Sequence, residues 1–167
     1  MPGEYEDTGG APPLQANLLS NLHGAGPPLR VPAINGFQHV AMDHQSGGPV
    51  IGAQVPGFWT GQRTDCIVVA VMQHNGLGAW MSYYFAHLRG GRWTATEQAL
   101  FNLVITHPAN AFIAMDSNAF SGMEIVLGQM NAGNPAGNIP LAHLLRYKSP
   151  HPTFALRLAD SAIGQIP

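Results

Sequence analysis

The chain has 167 residues, of which 46% are hydrophobic and only 10% are charged, and its formal net charge is −2. This length fits one domain of ordinary size. One lysine and six arginines form no basic stripe, which argues against binding to a nucleic-acid backbone. The one cysteine, Cys66, excludes an intramolecular disulfide and a multi-cysteine zinc site. We therefore expect neither a metal nor another cofactor.

The first third of the chain carries few regular patterns. Residues 1–13 are acidic and rich in Gly and Pro, which predicts a disordered tail before a single domain over residues 14–167. Gly and Pro recur through the rest of this region and interrupt its apolar segments. The predicted elements are a short helix over residues 14–22, a strand over 37–42, a turn over 43–48 and an irregular segment over 49–63.

The strongest local pattern begins at Cys66. Residues 66–72 form a continuous apolar run rich in β-branched side chains, which is typical of a strand buried on both faces. Residues 74–78 (HNGLG) carry the composition of a turn. Residues 79–87 are aromatic and partly alternating, which predicts the partner strand. The sequence therefore predicts a β-hairpin.

Helices and strands are both predicted after the hairpin. Two capping boxes, Thr94 with Glu97 and Ser121 with Glu124, predict the starts of two helices, the first ended by Pro108 and the second near residue 130. The remaining elements are a strand over residues 111–115, a loop over 131–140, a short helix over 141–147 and a closing strand over 153–159. We therefore predict an α/β fold, with a central mixed or antiparallel β-sheet or sandwich flanked by two or three helices.

The hairpin register decides how Cys66 and His87 are placed. A four-residue loop over 75–78 puts the two residues directly opposite each other on one face, with Cβ atoms about 4.5–5.5 Å apart. A two-residue turn makes them diagonal neighbours on the same face. A three-residue loop puts them on opposite faces.

A cysteine beside a histidine is a candidate catalytic pair. A free thiol is mostly protonated near neutral pH, and an imidazole that takes its proton makes it a strong nucleophile. The same histidine then protonates the leaving group. The alternative interpretation is a small buried side chain next to a core histidine, because free cysteine is among the most buried residue types.

Residues 64–70 (TDCIVVA) and 84–90 (YFAHLRG) resemble the catalytic hairpin of the cytotoxic-necrotizing-factor-like glutamine deamidases, a layout that deamidases of the CheD type share. In that family the cysteine opens a core strand and the histidine lies on the next strand. The resemblance implies hydrolysis of a glutamine carboxamide to glutamate through a thioester, with release of ammonia. It assigns Cys66 as the nucleophile and His87 as the general base and acid.

Two further residues are candidates for this site. Thr64 is a candidate helper near the thiol. Asp116 follows a predicted core strand and is a candidate for orienting His87 as in a catalytic triad, although a turn or cap role is an alternative. Arg89 and Arg92 flank the pair and either hold an acidic partner surface or are solvated surface charges.

Two other functions stay open. The Asp65-Cys66 pair is similar to the Asp-Cys opening of NlpC-type cysteine peptidases and amidases, in which the cysteine starts a helix. A binding or adaptor domain, with Cys66 only packed, is the alternative outside enzymes.

For the deamidase we expect a protein substrate as partner and no membrane insertion. We expect secretion by a non-Sec route into a target cell, as for a bacterial effector or toxin, or a cytoplasmic location.

Overall fold

The computed structural model describes residues 4–7, 35–61, 66–77, 79–117, 120–140, 143–148, 154–159 and 161–165. Across these ranges the chain forms two β-sheets and two α-helices. The mixed α/β fold predicted from the sequence is confirmed. The predicted helix over residues 14–22 and the candidate Thr64 lie outside the described residues.

A six-stranded sheet forms the centre of the structure. Its strands are β1 (Glu4–Asp7), β3 (His44–Pro49), β5 (Ile67–His74), β6 (Trp80–Leu88), β7 (Ala111–Ser117) and β8 (Leu144–Lys148). They lie in the order β1-β8-β7-β5-β6-β3. Neighbouring strands are antiparallel except for β7 and β8, which are parallel.

A second sheet has four strands: β2 (Gln38–His39), β4 (Gly57–Thr60), β9 (Phe154–Arg157) and β10 (Ala162–Gln165). Their order is β10-β9-β4-β2, with β2 and β4 parallel and the other pairs antiparallel. A Cβ at Gly57 would overlap the carbonyl oxygen of Leu156 and lie 2.7 Å from the ring of Phe37. Glycine at this position therefore allows β4 to pack closely against its neighbours.

Two helices cover one face of the six-stranded sheet: α1 (Ala95–Val104) and α2 (Phe120–Ala132). The capping box predicted at Thr94 is present, because its backbone N–H donates to the Glu97 carboxylate and its hydroxyl accepts from the first turn. Buried side chains of both helices, including Phe101 and Met123, join the apolar core on this face. Neither helix is long and apolar enough to cross a membrane.

The other face of the six-stranded sheet packs against the four-stranded sheet. Their shared core contains Val68, Phe85 and Ala114 from the larger sheet and Phe58 and Leu156 from the smaller one. The described structure thus has three layers: a small sheet, a large sheet and a pair of helices. Side chains that alternate along β5 and β6 point into one core or the other.

Several predicted elements differ from the structure. The predicted turn over residues 43–48 is mostly strand β3, and the predicted helix over 141–147 gives way to strand β8 from Leu144 onwards. Pairing with β6 and with β7 outweighs the local preferences of these segments. Ser121 lies inside α2, so it is not the N-cap. Within the predicted tail, Glu4–Asp7 form β1.

Candidate active site

Cys66 and His87 lie near the same end of the β5–β6 hairpin, with Cys66 directly before β5 and His87 one residue before the end of β6. His87 pairs with Val68, two residues after Cys66, because five residues separate His74 from its partner Trp80 and a bulge follows Gln73. The direct opposition expected for a four-residue loop is therefore not found; continued by one residue to Cys66, the observed register corresponds to a diagonal placement. Val68 belongs to the core between the sheets, so the face that carries Val68 and His87 points toward the four-stranded sheet. Diagonal neighbours have Cα atoms about 7–8 Å apart.

The imidazole of His87 contacts a hydroxyl from the other sheet. Thr60 Oγ1 lies 2.6 Å from His87 Nδ1, and both residues are buried. Thr60 is the last residue of β4, whereas His87 is near the end of β6. A hydrogen bond to one ring nitrogen fixes the orientation of the ring and the tautomer.

Asp116 lies in the same row of the six-stranded sheet as His87, and strand β5 lies between their two strands. Val68 is paired with His87 on one side and with Asp116 on the other. Two strand spacings, roughly 10 Å, separate the two backbones. Asp116 is fully buried. A role for it in orienting His87 stays a prediction, while Thr60 already lies within hydrogen-bond distance of Nδ1.

A turn at residues 41–44 covers the thiol. The Sγ atom of Cys66 donates toward Met42 Sδ at 3.5 Å, and Cys66 is only 5% exposed. The backbone N–H of Asp43 donates to the carbonyl oxygen of His87 at 2.8 Å. His44 follows, paired with His87 across the sheet. Met42 therefore covers the Cys66 thiol and shields it from solvent.

An exposed ion pair connects the turn at residues 41–44 to Arg89, which directly follows β6. Arg89 Nη2 lies 3.1 Å from Asp43 Oδ2, with the two side chains 59% and 48% exposed. Exposed ion pairs contribute at most about 1 kcal/mol, since water competes for both charges. Breaking this ion pair to form another one therefore costs little free energy.

A cavity of about 380 Å³ opens beside His87. The rings of His39 and Trp59 form one wall, with centroids 4.4 Å apart. The complete lining is His39, Ala41, Met42, Trp59, Thr60, Gly61 and His87. The volume lies at the small end of the range for ligand sites, which is sufficient for one amino-acid side chain. Among the described residues, no group of three His, Cys, Asp or Glu side chains is placed to hold a metal ion.

Two buried histidines lie at the other end of the hairpin, away from Cys66. His74 stacks on Phe112, with ring centroids 5.2 Å apart, and His143 packs on the same ring at 5.1 Å. Burial lowers the pKa of His74, and the nearby His143 lowers it further. Burial also lowers the pKa of His143, although its hydrogen bond to the Ala111 carbonyl acts in the opposite direction. This cluster stabilises the fold in its neutral form.

We expect the free energy of unfolding to fall as the pH drops below about 6.5, the usual histidine pKa. There the unfolded chain takes up protons that the folded chain, with its lowered His74 and His143 pKa values, does not. Urea unfolding between pH 5 and 8 measures this slope. His74→Gln and His143→Gln should each reduce it, and exposed His107→Gln controls for losing a histidine. An unchanged slope in both buried variants contradicts the expectation.

The sequence interpretation identified the thiol and the imidazole but missed Thr60 and the covering turn. Thr60 follows the aromatic pair Phe58-Trp59 in a segment whose frequent Gly and Pro favoured an irregular interpretation. The short apolar run before Thr60 was the available signal for β4. Cys66 precedes a strand rather than opening a helix, which differs from the NlpC arrangement. No protein-family model matches this chain, and no curated protein matches it.

Proposed function

We propose that this protein is a cysteine-dependent amidohydrolase that deamidates glutamine side chains of a target protein. The observation that carries the proposal is the placement of Cys66 directly before β5 and of His87 on the paired strand β6, with the Thr60 hydroxyl 2.6 Å from His87 Nδ1. A nucleophile, a base and a group that orients the base are the three parts of such a site. The resemblance of residues 64–90 to glutamine deamidases supports the same reaction.

The first half of the proposed reaction forms a thioester. With the Nδ1 proton donated to Thr60, Nε2 of His87 is the basic nitrogen and takes the proton of the Cys66 thiol. The Sγ atom then attacks the side-chain carbonyl carbon of glutamine, and the carbon–oxygen double bond opens to an oxyanion. Collapse of this intermediate breaks the carbon–nitrogen bond, and His87 donates its proton to the departing ammonia.

The second half returns the enzyme to its starting state. His87 removes a proton from water, and the resulting hydroxide attacks the thioester carbonyl. The carbon–sulfur bond breaks, the thiolate regains its proton from His87, and glutamate is released. Because the cavity is lined by the rings of His39 and Trp59, it suits the aliphatic part of a glutamine side chain.

The experiment that tests the proposal is incubation of the protein with a set of glutamine-containing proteins and peptides. Ammonia release and the amide-to-acid mass change of an intact chain are measured together. Cys66→Ala is the matched blank, and peptides with asparagine in place of glutamine test the side chain. A cleaved peptide bond supports the cysteine peptidase instead. Ammonia release that persists in Cys66→Ala contradicts the proposal.

One observation favours a second candidate, a binding domain in which Cys66 is only packed. The thiol is 5% exposed and contacts the thioether of Met42, as expected for a small apolar side chain in a core. The rate of Cys66 alkylation by iodoacetamide separates the two functions. Fast alkylation well below pH 8 supports the amidohydrolase, and slow alkylation supports the binding domain. The proposal that the protein is a bacterial effector or toxin belongs to the deamidase, and it does not extend to the binding domain.

A further inference from the structure

Arg89 is an exposed cation two residues after His87. It follows Leu88, which pairs with Ile67, so the hairpin register brings Arg89 level with Cys66. Its side chain is 59% exposed and reaches the Asp43 carboxylate at 3.1 Å. A guanidinium in this position binds planar carboxylates through paired hydrogen bonds.

We propose that Arg89 recognises a carboxylate of the target protein that lies next to the target glutamine, and that Asp43 occupies Arg89 until the target binds. The inference depends on the proposed function, because it names the class of glutamine that the site accepts. The preferred target is a glutamine flanked by an acidic residue. Exchange of one carboxylate for another leaves the charge of Arg89 balanced in both states.

The covering turn links this exchange to the thiol. Asp43 has a backbone φ of 68°, a left-handed conformation that non-glycine residues rarely adopt. Its contacts with Arg89 and with the His87 carbonyl hold the turn in place. The preceding residue, Met42, contacts the Cys66 thiol and lines the cavity. A target carboxylate that displaces Asp43 from Arg89 therefore removes one of the contacts that keep Met42 over the thiol.

Binding is tested with a protein that cannot react, Cys66→Ser. Two end-blocked glutamine peptides are titrated by NMR, one with glutamate before the glutamine and one with the methyl ester of that glutamate. We expect the acid to bind more tightly by up to about fivefold, the upper limit for one exposed charge pair, because the Asp43–Arg89 pair is lost in the exchange. Arg89→Gln in the same background should abolish the preference. Arg92→Gln, which removes an exposed arginine three residues away, should retain it.

Thiol accessibility gives a second measurement. In the protein with Cys66 intact, Asp43→Asn should raise the rate of iodoacetamide alkylation several-fold, and Met42→Ala should raise it further. Met81→Ala is the matched control, since Met81 is 45% exposed and Met42 42%. Three outcomes would overturn the inference: equal binding of both peptides, a preference that survives Arg89→Gln, or no measurable binding of either peptide. An unchanged alkylation rate in Asp43→Asn would overturn the link to the turn.

These measurements separate the two proposals, because neither peptide binding nor alkylation requires hydrolysis. A preference for the acidic peptide without ammonia release from any glutamine substrate would remove the proposed function and leave Arg89 as a carboxylate-binding residue. Ammonia release with equal binding of both peptides would remove the inference and leave the amidohydrolase.

Discussion

Replacing His87 with glutamine should slow ammonia release from a glutamine substrate by about 10²- to 10⁴-fold, the usual contribution of a general acid–base group. In the proposed reaction the imidazole takes the thiol proton and later protonates the leaving ammonia, and glutamine can do neither near neutral pH. Initial rates measured at saturating and at low substrate give the loss in kcat and in kcat/KM.

The same variant changes the chemistry of the thiol in a way that misfolding does not. In the wild-type protein, iodoacetamide should alkylate Cys66 well below pH 8, whereas in His87→Gln this early reaction should disappear. His107→Gln is a control, because His107 is exposed and lies outside the site. If both proteins are alkylated with the same pH profile, His87 does not activate the thiol and the catalytic pair is rejected.

Replacing Thr60 with valine should lower kcat by about 10- to 100-fold with little change in KM. Valine keeps the shape of the buried side chain but removes the hydroxyl 2.6 Å from His87 Nδ1. A lost hydrogen bond to a buried polar group costs about 1–3 kcal/mol, and each 1.36 kcal/mol corresponds to a factor of ten in rate. The readout is the pair of kcat and KM values, determined for one glutamine peptide.

Thr60→Ser separates a positioning role from a packing role. Serine restores the hydroxyl without the methyl group, so most of the activity should return even if stability does not. Thr106→Val is a control from the same chain, because Thr106 Oγ1 lies 3.0 Å from Nδ1 of exposed His107. Full activity in Thr60→Val would show that the contact does not orient the base.

The elements that the sequence predicted well depend on local chemistry. The β5–β6 hairpin follows from a β-branched apolar run, a turn with Asn-Gly and an aromatic partner segment. Helix α1 follows from its capping box. Strand β3 was missed because Gly47 and Gly48 disfavour strands locally. Its formation depends on pairing with β6, and a Cβ at Gly47 would lie 3.3 Å from Leu100 of α1.

The candidate site likewise combines two residues that local sequence patterns relate and one residue that they do not. Cys66 and His87 belong to one hairpin segment, so the sequence predicted that they lie near each other, whereas their relative face depended on the loop length. The register expected for a four-residue loop was not found, because the structure has a bulge after Gln73 and a five-residue connection. Thr60 comes from a different sheet, and no sequence period relates β4 to β6. The contact depends on how two sheets stack, which is determined by tertiary packing.

The Thr60–His87 contact crosses the boundary between the two sheets, whereas Cys66 directly precedes β5 and His87 lies on β6, both strands of the larger sheet. A transient detachment of the smaller sheet would leave the proposed nucleophile and base on an intact hairpin while removing the hydroxyl proposed to orient the base. Such partial unfolding requires less free energy than global unfolding. Loss of activity on heating or in mild denaturant would then precede loss of the β5–β6 amide protection measured by hydrogen exchange. Under the proposed function, activity would therefore report how firmly the smaller sheet is docked, because that sheet supplies Thr60 together with the His39 and Trp59 wall of the cavity.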